Sequence, residues 1–117
     1  MKVFLICPVR NETEEQRERI SAWLAEAEKE HTIHWPPRDT PQDDPTGLSI
    51  CCANRAAIAS ADEVWVWWEG KSEGRYFDLG MAFALGKPVR IVYGGEPPVP
   101  GKCYERMVAD WSANGAD

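Results

Sequence analysis

A chain of 117 residues carrying a formal charge of −6 is the length of a single domain, long enough to bury roughly two-thirds of its unfolded surface. An acidic balance with a pI near 4.9 excludes a nucleic-acid partner held on a basic face, since such domains cluster Lys and Arg; a small-molecule partner fits better. No apolar run reaches the roughly 20 residues of a membrane helix, and Met1 leads into a strand pattern without signal-peptide composition. The expectation is one cytoplasmic domain over residues 1–117 with no membrane partner.

Residues 2–7, Lys-Val-Phe-Leu-Ile-Cys, form a continuous apolar run stopped by Pro8, the pattern of a strand buried on both faces of a parallel sheet. Asn11 and Thr13 then offer helix caps, with Glu14 and Gln16 three residues on as in a capping box. Ile20, Trp23, Leu24 and Ala27 recur at helical spacing and predict one apolar stripe that packs on the sheet. Residues 31–35 read as a weak second strand. The ten residues 36–45 hold four prolines and three aspartates, which predicts an irregular surface loop at a strand's carboxyl end.

Residues 46–61 predict a second helix rich in small side chains, with Asn54 on the same face as Ile50, Ala57 and Ala61, so its amide points into the protein or into a cleft. Residues 63–68 contain Val-Trp-Val-Trp-Trp, a central strand by propensity and by lack of alternation. Core packing accounts for at least two of those tryptophans; Trp67 or Trp68 at the strand's end is the alternative stacking surface for a ligand ring. A polar loop at 69–74 feeds a helix at 76–85 in which every residue is apolar or Gly except Asp78. That helix is expected to be covered on several sides. Gly86 and Pro88 end it, residues 89–93 form a further strand, residues 94–101 a Pro/Gly loop, and residues 102–111 a last helix or an edge strand.

Cys7, Cys51, Cys52 and Cys103 form no C-x-x-C pair, so zinc and a disulfide framework are not indicated and reduced, buried thiols are expected. His31 and His34 suggest no metal site, and no cofactor is called for. The βαβαβαβ order with short connections predicts a three-layer α/β/α domain of flavodoxin/Rossmann-like type, with a mainly parallel sheet of four to five strands. Ligands bind outside the carboxyl ends of such strands, which brings together residues 7–10, 36–45 and 69–78, with Asn54 from the preceding helix.

Within that cleft Asp78 is the residue that needs explaining, because an aspartate is almost never buried without a partner. It either complements the helix dipole or works chemically, and its position a turn inside an apolar helix favours work. Gly74 with the first helical turn presents free N–H groups, and Ser72 a hydroxyl, which together make an anion site; Arg10 adds a bidentate phosphate contact. For Ser72 the bland alternative is a helix cap, and for Asn54 a satisfied buried amide.

The motifs Cys7-Pro8-Val9-Arg10, Ala61-Asp62 before the central strand, and above all Ser-Glu-Gly-Arg-Tyr-Phe-Asp-Leu-Gly-Met-Ala-Phe-Ala-Leu-Gly-Lys-Pro at 72–88 resemble the nucleoside 2-deoxyribosyltransferases and the related 2′-deoxynucleoside 5′-monophosphate N-glycosidases. The likeness covers most of the chain in order. It implies that Asp78, before Leu79-Gly80-Met81-Ala82, stands where the family has its nucleophilic glutamate. Ser72 stands at the phosphate-binding serine, with Gly74 beside it, and Arg10, Pro8 and Val9 in the first substrate-binding loop. Asn54 stands at the family's assisting aspartate, with Asp43, Asp44 and Glu69 as nearby carboxylates.

The resemblance further implies attack of a carboxylate on C1′, departure of the base, and transfer of the glycosyl group to water or a second base. It also implies a homodimer or larger assembly, which an almost wholly apolar helix suggests independently. Three functions stay open: an N-glycosidase or deoxyribosyltransferase acting on a nucleoside or its 5′-monophosphate, a catalytically degenerate nucleotide or nucleotide-sugar binding module, and an interaction protein.

Overall fold

Four parallel strands, β1 (Lys2–Ile6), β2 (Thr32–His34), β3 (Glu63–Trp68) and β4 (Val89–Gly94), hydrogen-bond in the order β2-β1-β3-β4. The computed structural model describes residues 1–8, 13–95 and 100–116. The chain runs outward from β1 to β2, then crosses back to β3 and on to β4, so the strand order reverses between β1 and β3. That reversal opens a crevice at the carboxyl ends of β1 and β3, the usual ligand position in such sheets.

Because β1 and β3 are covered on both faces, their side chains split into two cores instead of alternating apolar and polar. Phe4, Ile6, Val64 and Val66 face α3 (Leu48–Ser60), α4 (Glu73–Ala84) and α5 (Tyr104–Asn114), meeting Ile58, Leu79, Ala82, Val108 and Trp111. Val3, Leu5, Cys7, Trp65 and Trp67 face the other way, toward Ile20 and Leu24 of α1 (Glu14–Ala27). Burying each of those two aliphatic side chains contributes about 1.5–3 kcal/mol. Thr13 caps α1 through the capping box with Gln16, as its spacing predicts.

One helix alone covers the second face, and the tryptophans fill what it leaves open. Trp23 meets Trp65 and Trp67 edge-on, and Tyr93 stacks on Trp67 with centroids 4.1 Å apart. A register shift between Val66 and Trp67 brings Tyr93 opposite Trp67. The strand then closes on Gly94, at φ 70°, where a Cβ would stand 2.1 Å from the Trp68 carbonyl oxygen; any other residue there breaks the pairing. Trp65 and Trp67 are core residues, in agreement with the packing role expected of at least two tryptophans.

Two expectations need correction, and one open alternative is decided. The Pro-rich stretch is not wholly irregular, since Pro36–Asp39 forms one helical turn, α2; prolines at the first helical positions lack only N–H groups that would be unpaired anyway. In the segment 102–111, left between helix and strand, the helix α5 starts at Tyr104 and its Val108 and Trp111 join the core. The apolar helix α4 is not covered on several sides: Phe77 is 57 % and Phe83 54 % exposed, because only its Arg75, Leu79 and Ala82 edge turns inward.

That helix ends as its sequence predicts. Gly86 takes φ 67°, its N–H donates to the Phe83 carbonyl, and the Lys87 N–H donates to that of Ala82, the Schellman arrangement. The Lys87 ammonium then donates to the Ala59 and Ala61 carbonyls where α3 ends, tying the two helices together. No cysteine is bridged in a disulfide, but only Cys7 is buried, Cys51 and Cys103 being half-buried and Cys52 exposed. Among the described residues no helix is long and apolar enough to cross a membrane.

Candidate active site

The Trp68 end of β3 leads through residues 69–72 into α4, and the start of this helix carries most of the chemistry. Ser72 is the N-cap, its Oγ accepting from the Arg75 N–H at 3.4 Å. The cap reading of Ser72 is therefore correct, and a hydroxyl proton remains for a ligand. Gly74 is exposed in the first turn, where backbone N–H groups have no helical acceptor. Asp78 follows Gly74 at i+4, on the same side of the helix.

The Asp78 carboxyl is mostly withdrawn from water, and burial alone pushes its pKa up from 3.8 to about 7. Among the described residues no neighbouring charge contributes to that shift, and no hydrogen bond or ion pair engages the carboxyl. A surface carboxylate favouring the helix dipole would behave in the opposite way, since that interaction holds the charged form. Asp78 is thus a sheltered carboxylate, poised between its two protonation states near neutral pH and without a partner among the described residues.

Asn54 lies on α3, which covers the same sheet face as α4. It is 6 % exposed, and its Oδ1 accepts from the Thr40 hydroxyl at 2.8 Å. Thr40 in turn lies 2.8 Å from His34 Nε2, and Phe4 stacks on the His34 ring at 5.4 Å. The amide points inward as its helical face predicts. His34, which the sequence marks for nothing, is its second neighbour, and burial lowers the His34 pKa from 6.5.

The nearby carboxylates are engaged elsewhere. Asp44 accepts from the Thr46 and Ile50 backbone N–H groups at the start of α3, and those bonds, Ile50's foremost, lower its pKa. Asp44 is a helix cap, and Asp44→Ala is expected to lower the thermal midpoint by the loss of one cap, measured by circular dichroism. Glu69 pairs with Arg19 and accepts from Trp67 Nε1 at 3.3 Å, on the face opposite α4. Asp43 is exposed. None of the three sits beside Asp78 to share its charge.

Arg75 was not anticipated. It is 4 % exposed, lies over the Trp68 ring at 4.4 Å, and donates from Nη2 to the Gly70 carbonyl at 2.7 Å. Nε and Nη1 have no partner, and burial lowers its pKa. Its guanidinium occupies the Trp68 face that a ligand ring would have used, and Tyr93 occupies one face of Trp67. A helix of apolar residues gives no hint that its one arginine is internal; the signal was the adjacent Trp-Trp pair, a surface on which guanidinium stacks. Pro8 is buried at the end of β1, bordering the crevice, while Val9 and Arg10 lie outside the described residues.

No family model matches the chain, and no curated protein does either. Solved structures do. A 2-deoxyribosyltransferase from the psychrotolerant bacterium Bacillus psychrosaccharolyticus superposes with a TM-score of 0.62 at 23 % identity, over 78 % of this chain and 71 % of that one. The chain has a 2-deoxyribosyltransferase-like fold. The CMP N-glycosidase BcmB of Clostridium botulinum superposes with a TM-score of 0.56 at 18 % identity, over 92 % of this chain and 82 % of that one. At these identities the shared property is the fold, and this fold supplies the β1/β3 crevice into which the α4 start opens.

Proposed function

We propose that the protein cleaves or transfers the N-glycosidic bond of a deoxynucleoside or nucleoside, or of its 5′-monophosphate, with Asp78 as nucleophile. The observation that carries this reading is the Asp78 carboxyl: sheltered, without a partner among the described residues, and shifted by burial to about 7. A desolvated carboxylate is a better nucleophile than a hydrated one, and clefts at strand ends are where such groups work. The fold shared with a 2-deoxyribosyltransferase and a CMP N-glycosidase supports the same substrate class.

In this reading an Asp78 oxygen bonds to C1′ as the C1′–N bond breaks, and the departing base takes its proton from water. Water or a second base then attacks C1′ and releases Asp78 as a carboxylate. Ser72 and the free N–H groups around Gly74 hold the 5′-phosphate, with Pro8 at the end of β1 bounding the sugar. Asn54 hydrogen-bonds the substrate but donates no proton as an acid. A panel of deoxynucleosides, ribonucleosides and their monophosphates tests this by chromatography. Free base appears with wild type and vanishes with Asp78→Ala; a pure protein that releases no base from any member contradicts the enzyme reading.

One observation favours a second reading, a nucleotide-binding module without turnover: among the described residues no second carboxylate stands beside Asp78 to assist the leaving base. It predicts that a monophosphate raises the melting temperature by an amount that grows with the logarithm of its concentration over Kd, with no base released.

The protein is further proposed to be a homodimer that closes over α4 and α5. Phe77, Phe83, Leu85, Tyr104 and Met107 are all exposed, and a groove of about 490 Å³ runs between the two helices. With aromatic side chains at ~150–250 Å² each, the patch reaches the several hundred Å² at the upper end for a monomer. It approaches the ~800 Å² per partner of a stable interface. Sedimentation should show a dimer that Phe83→Glu dissociates; a wild-type monomer at micromolar concentration removes this proposal.

A further inference from the structure

The side chains of His34, Thr40 and Asn54 form a hydrogen-bonded chain, half-buried at His34 and buried at Thr40 and Asn54, whose direction follows from the Asn54 carboxamide turning its oxygen to Thr40. A threonine hydroxyl has one proton to give, and that of Thr40 goes to Asn54 Oδ1 at 2.8 Å. The Thr40 oxygen must then accept at its 2.8 Å contact with His34 Nε2, so Nε2 carries the hydrogen. Protonation of His34 would leave that bond unchanged, because Nε2 donates in both forms. Thr40 is 3 % exposed, and the parallel register that sets His34 beside Phe4, with the ring stack between them, holds the imidazole in place.

The consequence falls on the far end of the Asn54 carboxamide. Its Oδ1 accepts from Thr40; turning the amide over would set Nδ2 against the Thr40 oxygen and reverse the whole chain, Thr40 then donating to a bare His34 Nε2. Among the described residues its Nδ2 has no hydrogen-bond partner, yet it is not one of the sealed, unsatisfied polar atoms, so it keeps contact with solvent at the residue's remaining surface. We infer that His34 and Thr40 are positioning residues that hold Asn54 as a fixed hydrogen-bond donor, so that the bound ligand presents an acceptor oxygen or nitrogen to Asn54 Nδ2. An aspartate at this position would ask for a donor instead; the chain therefore sets specificity as well as geometry. The ligand half of this inference rests on the nucleotide reading above, and the hydrogen-bond chain does not.

Nuclear magnetic resonance of protein labelled with ¹⁵N separates the two halves. In the wild type at neutral pH, His34 is expected to carry its proton on Nε2 with Nδ1 bare. Thr40→Val should turn that single tautomer into a mixture, and Thr40→Ser should restore it, with thermal melting confirming that both variants fold. Adding 2′-deoxycytidine 5′-monophosphate should move both Asn54 side-chain amide protons, and its apparent Kd should rise about tenfold in Thr40→Val, the worth of one hydrogen bond, but not in Thr40→Ser. His34 found with Nδ1–H and bare Nε2 overturns the chain. Nucleotide that binds while the Asn54 amide stays unmoved, or binds Thr40→Val as tightly as wild type, overturns the donor role. Failure of any nucleotide to bind, with Nε2–H observed, removes the nucleotide reading and its ligand half while the chain stands.

Discussion

Asp78→Ala is expected to reduce base release by about 10³-fold or more, the scale on which loss of a covalent nucleophile is felt. Asp78→Glu would extend the side chain by one methylene and place the carboxyl elsewhere along the same direction, changing rate in either sense by an amount that a displacement of about 1 Å can set. The pH dependence carries the same signature. Only the ionised carboxylate attacks C1′, and Asp78 ionises at about 7. The rate should therefore rise with pH through neutrality and level off above it, instead of being flat from pH about 5 upward as for an ordinary aspartate.

The second large effect is on stability and has the opposite sign. A carboxyl whose pKa is about 7 in the folded chain and 3.8 in its ordinary state favours folding fully below 3.8. That contribution is lost as pH rises toward 7, because the unfolded chain ionises freely and the folded one does not. Asp78→Asn copies the protonated acid at every pH. It should match wild type in acid and exceed it above neutrality, by about 2–4 kcal/mol from the linkage relation. Urea titrations at acidic and at alkaline pH measure the difference; equal midpoints at alkaline pH would show that Asp78 is hydrated like a surface residue. Together the two effects describe a residue that costs stability where it serves chemistry.

Local pattern made the strands and most helices legible. The β3 bounds follow from Val-Trp-Val-Trp-Trp, since a run of β-branched and aromatic residues without alternation has only a doubly covered strand to occupy. The α1 start follows from Thr13 and Gln16, and the α4 end from Gly86. The parallel order follows from the alternation of these elements. What stayed hidden depends on contacts distant in sequence. Arg75 is internal because Trp68 and the Gly70 carbonyl happen to receive it. Glu69 is removed from the cleft by Arg19, fifty residues before it. Periodicity speaks of neither.

The candidate site was legible in the same proportion. Asp78 is conspicuous as the one charge in its apolar run, and Ser72 and Gly74 stand where a helix start must leave donors free. Asn54 could be placed on its inward face by helical spacing. The orientation of its amide was not readable, because it is set by His34 and Thr40 from a different strand and loop. The exposed edge of α4 was misjudged for a related reason. An apolar helix announces burial, but the sequence does not say whether the cover comes from its own chain or from another.

The central claim is that Asp78 forms a bond to the sugar, and mass spectrometry of the intact protein during turnover of a deoxynucleoside 5′-monophosphate tests it most directly. Acid quenching should trap a species heavier than the free chain by the glycosyl group, and peptide mapping should place that ester on Asp78, with none formed by Asp78→Ala. An adduct mapped to another residue, or base release by Asp78→Ala at the wild-type rate, would contradict the account.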